Sequence, residues 1–418
     1  MEEKVTNKGY DLIIRNARLK DHGPSVDIGI KDGKIHNIGN IKDTVSQDRE
    51  VNAEHNLVIP GFVNSHTHLD KADLLSKMKP SQFGGTLEEN RRLIREFKEN
   101  YTIAEVKERA GRVIREMAKG GITAIRTQVD VDPTAKLLPL KAICELRKEY
   151  ARIVDIEICA FPQEGVFKPG MRELLEQALN DGADLLGGLP LVEKTEKEQK
   201  EHIDILFQIA KKYDVELEVQ IDESNNPEDF MLPYLVKKTI EEGYKGRVSA
   251  THCISLSKVE NRIANGVIKG AKEAEINIIL TPSCNLITSF PEIGGSRPYN
   301  SITRVRDLVE NGVNVAMGTD NIRDIFYPLG NGSMIREMHV LATTTRMSRV
   351  EDVEHIFDMA SSNGAKILNL DYGVDVGRQA DLLITNSATK RGVISSQEII
   401  PYVVKNGRVV SVSMVLSN

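Results

Sequence analysis

Two histidines one residue apart, His66 and His68, close an apolar run in the segment 59–71, IPGFVNSHTHLDK, with Asp70 and Lys71 just beyond. On an extended strand, side chains two apart project to the same side, so both imidazoles face one point. Neutral imidazole binds zinc, iron or nickel well, and a carboxylate can complete such a shell. A lone H-x-H pair more often has an ordinary structural role. The weight comes from residues far along the chain. GTD at 318–320 offers Asp320, and ATHC at 250–253 offers His252, each at the end of a short apolar run. Gln128 and Asp130, Gln163 and Glu164, then Gln220, Asp222 and Glu223 fall at similar places, and Asn321 follows Asp320. The bland alternatives are a hydrogen-bonded core histidine at 252 and a helix cap at 320.

Residues so distant meet only if the fold gathers strand ends. After Pro60, amphipathic helical stretches alternate with short, nearly unbroken apolar runs. TIAEVKERAGRVIREMAKGG (102–121) reads as a helix with a Thr cap, Glu105 three residues on, and a glycine stop. ITAIRTQVD follows as a strand. The unit recurs through the strands IVDIEICAF, ADLLGGLP, VELEVQIDES, RVSATHC, INIILTPS and VNVAMGTD, each preceded by a helical stretch. With VIPGFVNSH in front, the count is eight. This predicts an α/β chain whose centre is a closed (β/α)8 TIM barrel, with strands covered on both faces. An open doubly wound sheet is the alternative, but no G-x-G-x-x-G turn opens a helix. Such a barrel carries its chemistry at the C-terminal strand ends, where the polar residues above fall.

The two ends of the chain read as short strands. YDLIIRNARL, SVDIGIKDGKIHNIG and HNLVIPGF precede the barrel, and VDVGRQADLLITNSA and EIIPYVVKNGRVVSV follow it. KDGK at 31–34 suits a hairpin, with Gly33 accepting a positive φ, and KNGR echoes it. The expected organisation is a small β-sandwich-like domain of residues 1–60 plus 368–418 and a metal-dependent catalytic barrel over 61–367. Residues 76–101 read as a helical insert, with lid and pocket wall both open as roles.

A net charge of -6 with interspersed signs offers no nucleic-acid or membrane surface. No apolar run is long enough to span a bilayer, and the first residues lack an apolar export signal. Cys144, Cys159, Cys253 and Cys284 form no close pair, which fits a reducing, cytoplasmic location.

Taken together, VIPGFVNSHTHLDK, AFPQEG, VQIDES, ATHC, GTDNIRDIFYPLG and the flanking β segments resemble the amidohydrolase superfamily. Within it the chain is similar to the cytosine deaminase branch, which also holds hydrolases of triazines such as N-isopropylammelide. The likeness runs from about residue 9 to 410. It implies one divalent metal ion, Zn or Fe, held by His66, His68 and Asp320. It implies that Glu223 shuttles protons to a ring nitrogen and that His252 orients or polarises water or substrate. Gln163 and Phe326 fall where the family binds its heterocycle. Family relatives often self-associate, so a homo-oligomer is expected.

The departures bear on the site. Where the family places a third metal histidine, this chain has Gln220, and Gln128 stands where a histidine is common. Either Gln220 ligates through oxygen, or the ion is held by His66, His68 and Asp320 with or without His252, or the metal is lost. Asn321 replaces an aspartate that reads a pyrimidine edge, and it donates as well as accepts. Lys71 offers a positive charge for a ring carbonyl or an acidic substrate; Arg304 and Arg323 are further options. The expected activity is hydrolytic deamination of a small free heterocycle with release of ammonia. The alternatives are cleavage of another C–N bond and a non-catalytic homologue. The Cys-rich zinc motif of polynucleotide deaminases is absent, so nucleic acid is not an expected partner.

Overall fold

The computed structural model describes residues 9–42, 49–79, 87–288 and 301–413. Its first strands are β1 (Leu12–Arg18), β2 (Ser25–Lys31), β3 (Lys34–Gly39) and β4 (Glu50–Asn52), in the sheet order β3-β2-β1-β4. The KDGK hairpin is present: Lys31 pairs with Lys34, and Asp32 and Gly33 have φ of 51° and 76°, as a two-residue loop between twisted strands requires.

The run VIPGFVNSH, expected as one strand, is two. β5 (Val58–Pro60) leaves the barrel and pairs antiparallel with a strand from the tail, whereas β6 (Phe62–Thr67) enters it. The chain changes partners at Pro60-Gly61, where proline has no N–H to continue a ladder and the Gly61 N–H donates to Asp381 O instead.

The barrel continues through β7 (Ile122–Asp130), β8 (Asp155–Phe161), β9 (Leu185–Gly188), β10 (Leu217–Ile221), β11 (Val248–His252), β12 (Asn277–Leu280) and β13 (Val315–Met317). All are parallel and adjacent in chain order, and a parallel bridge between Thr67 and Asp320 closes the ring. Every residue of β6, β7, β10 and β11 is buried, because helices cover the outer face while side chains fill the inner one. Helix Ile103–Lys119 shows how the sequence specifies this. The Thr102 hydroxyl accepts the Glu105 N–H at 3.2 Å, and Val106, Ala110, Val113, Ile114 and Met117 form the buried stripe.

Helices Met334–Thr345, Val350–Met359 and Ser362–Ile367 follow the last barrel strand. The tail then forms β14 (Leu382–Ile384), β15 (Tyr402–Lys405) and β16 (Arg408–Val412), in a second sheet ordered β16-β15-β14-β5. Asn406 and Gly407 repeat the positive φ pair of the first hairpin, at 50° and 73°. Ile14, Ile28 and Ile30 pack in one core with Leu382, Ile384 and Val404, so both chain ends build one small two-sheet unit. In the 76–101 insert, residues 80–86 lie outside the described residues, and helix Leu87–Lys98 follows them.

Candidate active site

The seam of the barrel sets the site. The Asp320 N–H donates to His66 O at 2.9 Å, and the Thr67 hydroxyl donates to Asp320 O at 2.7 Å. A Cβ on Gly318 would stand 2.4 Å from His66 O and 2.6 Å from His66 N, so only glycine lets the two strand ends come this close. His252 and Asp320 both have left-handed backbones, with φ of 74° and 57°. Non-glycine residues in that region are sparse and cluster where side chains must be aimed.

Four side chains meet at one point. Asp320 Oδ1 lies 3.5 Å from His66 Nε2 and 3.4 Å from His68 Nε2. The terminal amide of Gln220 lies 3.4 Å and 3.1 Å from the same two nitrogens. Bonds of about 2.1 Å to a tetrahedral ion would separate ligand atoms by roughly 3.4 Å, so the arrangement fits one divalent cation. The amide places Nε2 at its corner, and a half-turn about its last bond puts Oε1, a ligating atom, there instead. His66, His68 and Asp320 are all buried. Burial works to lower the His66 imidazole, but the carboxylates of Asp320 and Glu218 outweigh it and raise it to about 9. Burial and Lys71 lower His68 to about 4. Burial opposes ionisation of Asp320, yet the two histidines hold its carboxyl well below the usual range. The donor set is one carboxylate, two imidazoles and an amide, a mix suited to a divalent metal ion.

His252 and Glu223 stand at the edge of this point. The Asn285 amide donates to His252 Nδ1 at 2.9 Å, and the Thr281 hydroxyl lies 3.0 Å from the same atom. With Nδ1 accepting, the ring proton sits on Nε2, which is buried, has no hydrogen-bond partner among the described residues and faces Glu223 Oε2 at 3.7 Å. Burial raises the Glu223 carboxyl, with His252 opposing.

Lys71 is fully buried. Its ammonium lies 2.5 Å from Asp130 Oδ1 and donates to Gln163 Oε1 at 3.1 Å. Lys98, from the 76–101 insert, reaches the same network at 2.6 Å from Asp130 and 2.5 Å from Asp132.

Residues 57–412 match the amidohydrolase family. The chain belongs to that family. It is 32% identical over 415 residues to N-isopropylammelide isopropyl amidohydrolase of Pseudomonas sp. (strain ADP), covering 97% of this chain and 98% of the relative. The structure of 5-methylcytosine deaminase from Klebsiella pneumoniae superimposes with a TM-score of 0.89 at 29% identity, over 97% of this chain and 99% of that one. N-isopropylammelide isopropylaminohydrolase from Burkholderia multivorans gives a TM-score of 0.84 at 26% identity, over 96% and 98%.

In this amidohydrolase, the other residues singled out by sequence divide clearly. Gln163 and Phe326 line a cavity at the barrel mouth. Asn321 is buried and donates to Asp324 Oδ2 at 2.5 Å. Asp222 is buried but turned to the backbone, accepting the N–H groups of Met231 and Leu232 at 2.6 and 3.1 Å. Gln128 is fully buried without a hydrogen-bond partner among the described residues, so unlike Gln220 it makes no hydrogen bond to His66 or His68. Arg323 pairs with Asp73 and Glu116, and Arg304 bonds Asn261 and the carbonyls of Leu256 and Val259. Neither arginine reaches the site. Sequence reasoning passed over Glu218, Arg126, Asn285 and Thr281. Glu218 carried a signal, because it stands two residues before Gln220 and so faces the same side of β10.

Proposed function

We propose that the chain is a metal-dependent hydrolase that replaces the amino group of a small nitrogen heterocycle with oxygen from water and releases ammonia. The convergence of His66, His68, Asp320 and Gln220 beside Glu223 and His252 carries this reading. A zinc or iron ion held by those four residues would acidify a water so that hydroxide is available near neutral pH. Asp320 takes the proton of the attacking water. Glu223 delivers a proton to the ring nitrogen, which makes the neighbouring carbon electrophilic. His252, with its proton on Nε2, donates to the oxygen as charge develops there. Glu223, left as a carboxylate, takes the hydroxyl proton of the adduct and hands it to the leaving nitrogen as the C–N bond breaks, and the proton held by Asp320 then restores Glu223. Lys71 and Gln163, with Asn321, hold the polar edge of the ring, and Phe326 covers its face. Catalysis is assigned to residues 61–367, with 1–60 and 368–418 as the accessory unit. Cys144, Cys159, Cys253 and Cys284 are free thiols, which supports a cytoplasmic setting.

A second reading, release of an alkylamine through the same steps, is favoured by the 32% identity to an enzyme named for an isopropyl amidohydrolase. Both are tested by assaying metal-loaded protein for ammonia and for alkylamine. The compounds are cytosine, isocytosine, creatinine, aminotriazines and N-alkylaminotriazines. Turnover that is lost on chelation, restored by zinc or iron and absent in His66→Ala is expected. Metal-loaded protein inert on the whole set would remove both readings.

A further inference from the structure

A cavity of about 380 Å³ is walled on one side by helix Leu87–Lys98. Its lining includes Gln163 and Phe326 from the proposed substrate site. The wall carries five cations and three anions, but their commitments differ. Glu164 faces Arg95 at 3.6 Å. Glu193 accepts from Val166 N at 3.0 Å and lies 2.7 Å from His202 Nδ1. Glu198 closes the capping box of Thr195. Lys98 is held by Asp130 and Asp132. Arg91 remains without an ion pair among the described residues, and its Nε is buried with no hydrogen-bond partner there. Arg91 lines the same cavity as Gln163, Glu164 and Phe326. The exposed Lys168 and Lys194 complete the rim. Each acid in this wall therefore has a partner, while the Arg91 guanidinium has none among the described residues.

We infer that Arg91 reads an anionic substituent, a carboxylate, on the heterocycle, so that the preferred substrate is a ring acid and not a bare base. A guanidinium presents paired donors that match a carboxylate and gain most where water is partly excluded. The volume lies at the small end for ligand sites, which suits a ring with a compact acid and not a nucleotide. The inference rests on the proposed hydrolase reading of the site, since it treats this cavity as the substrate's path.

The test compares matched pairs on full-length, metal-loaded protein: cytosine with cytosine-5-carboxylate, and pterin with pterin-6-carboxylate. The ratio within each pair is taken as kcat/KM where the rings turn over and as 1/Kd where they do not. The acid is expected to be favoured about tenfold in at least one pair at low ionic strength, with the preference shrinking as salt is added. Arg91→Gln should bring that ratio close to one. Arg92→Gln removes the same charge from the outer face of the helix, where Arg92 is 58% exposed beside Glu96, and should leave the ratio in place. Equal values in both pairs, undetectable binding of both acids, or a preference that survives Arg91→Gln overturns the inference. Absence of turnover in every pair counts against the hydrolase reading alone, because the binding ratio still decides the role of Arg91.

Discussion

Nδ1 of His66 and Oε1 of Glu218 lie 2.5 Å apart, with neither side chain exposed. A carboxylate on one ring nitrogen fixes the ring's orientation and turns the other nitrogen toward the ligand point. Glu218 is itself held by the Thr251 hydroxyl at 3.0 Å and by Arg126 at 3.3 Å. Arg126 also pairs with Glu157 and Glu216. Glu218→Gln is expected to weaken divalent-metal affinity by about 10–100-fold, read by competition with a chromophoric chelator. An unchanged dissociation constant would mean that His66 keeps its orientation without Glu218. Glu218→Ala should also cost roughly 3 kcal/mol of stability in denaturant unfolding, because the buried Arg126 loses a partner.

Gln220 and Gln128 stand at positions where histidines were expected, but only Gln220 touches the imidazoles of His66 and His68. Gln220→His should therefore raise zinc affinity by about tenfold or more, since imidazole suits a borderline ion better than an amide oxygen. Gln220→Leu should lower it by a similar factor. Gln128→Leu should leave metal affinity within about twofold of the parent. Equal responses at the two positions would show that the amide of Gln220 is not a ligand.

Lys98 joins Asp130 and Asp132 with no side-chain exposure at any of the three. Burial opposes its charge, and the two carboxylates more than reverse that, so its ammonium is held ionised. Lys98→Met would leave Asp132 without its buried cation and Asp130 with Lys71 alone, at a cost of about 3–5 kcal/mol. The damage should reach Lys71, which shares Asp130. Urea unfolding checks the first claim. A variant as stable as the parent would show that the network does not anchor the insert to the barrel.

The barrel was legible in the sequence because its strands are buried on both faces and read as apolar runs between capped helices. The H-x-H pair, His252 and Asp320 were legible because each ends such a run. The split of VIPGFVNSH at Gly61 was not, since an apolar run gives no sign of which sheet its residues join. Gln220 and Gln128 also looked alike, both being glutamines on apolar strands. Their difference lies in the side-chain path within the barrel, which strand spacing alone does not set. Arg91 and Lys98 lie on a helix of mixed charge, and only packing against the mouth separates a pocket cation from a solvated one. The helices after Asp320 went unread because no further barrel strand follows them to mark a repeat.

Glu337 offers a test through pH. It lies on helix Met334–Thr345, is 3% exposed, and accepts the Ser283 N–H at 2.8 Å. Burial pushes its carboxyl up to about 7, with the Ser283 bonds opposing. The folded chain therefore keeps a proton that the unfolded chain, with an ordinary glutamate, releases above about pH 4.3. Between those values the native state binds more protons, so stability falls as pH rises, and the contribution is lost once pH passes about 7. The whole effect is about 4 kcal/mol at most. Asp222 and Asp324, also raised to about 7 by burial, slope the same way, so the difference between parent and variant is what isolates Glu337. Glu337→Gln keeps an acceptor for Ser283 and has no proton to lose. Its stability relative to the parent should rise from pH 5 and level off above about pH 7 in urea unfolding. Parallel curves for the two proteins would show that Glu337 is ionised in the folded chain throughout that range.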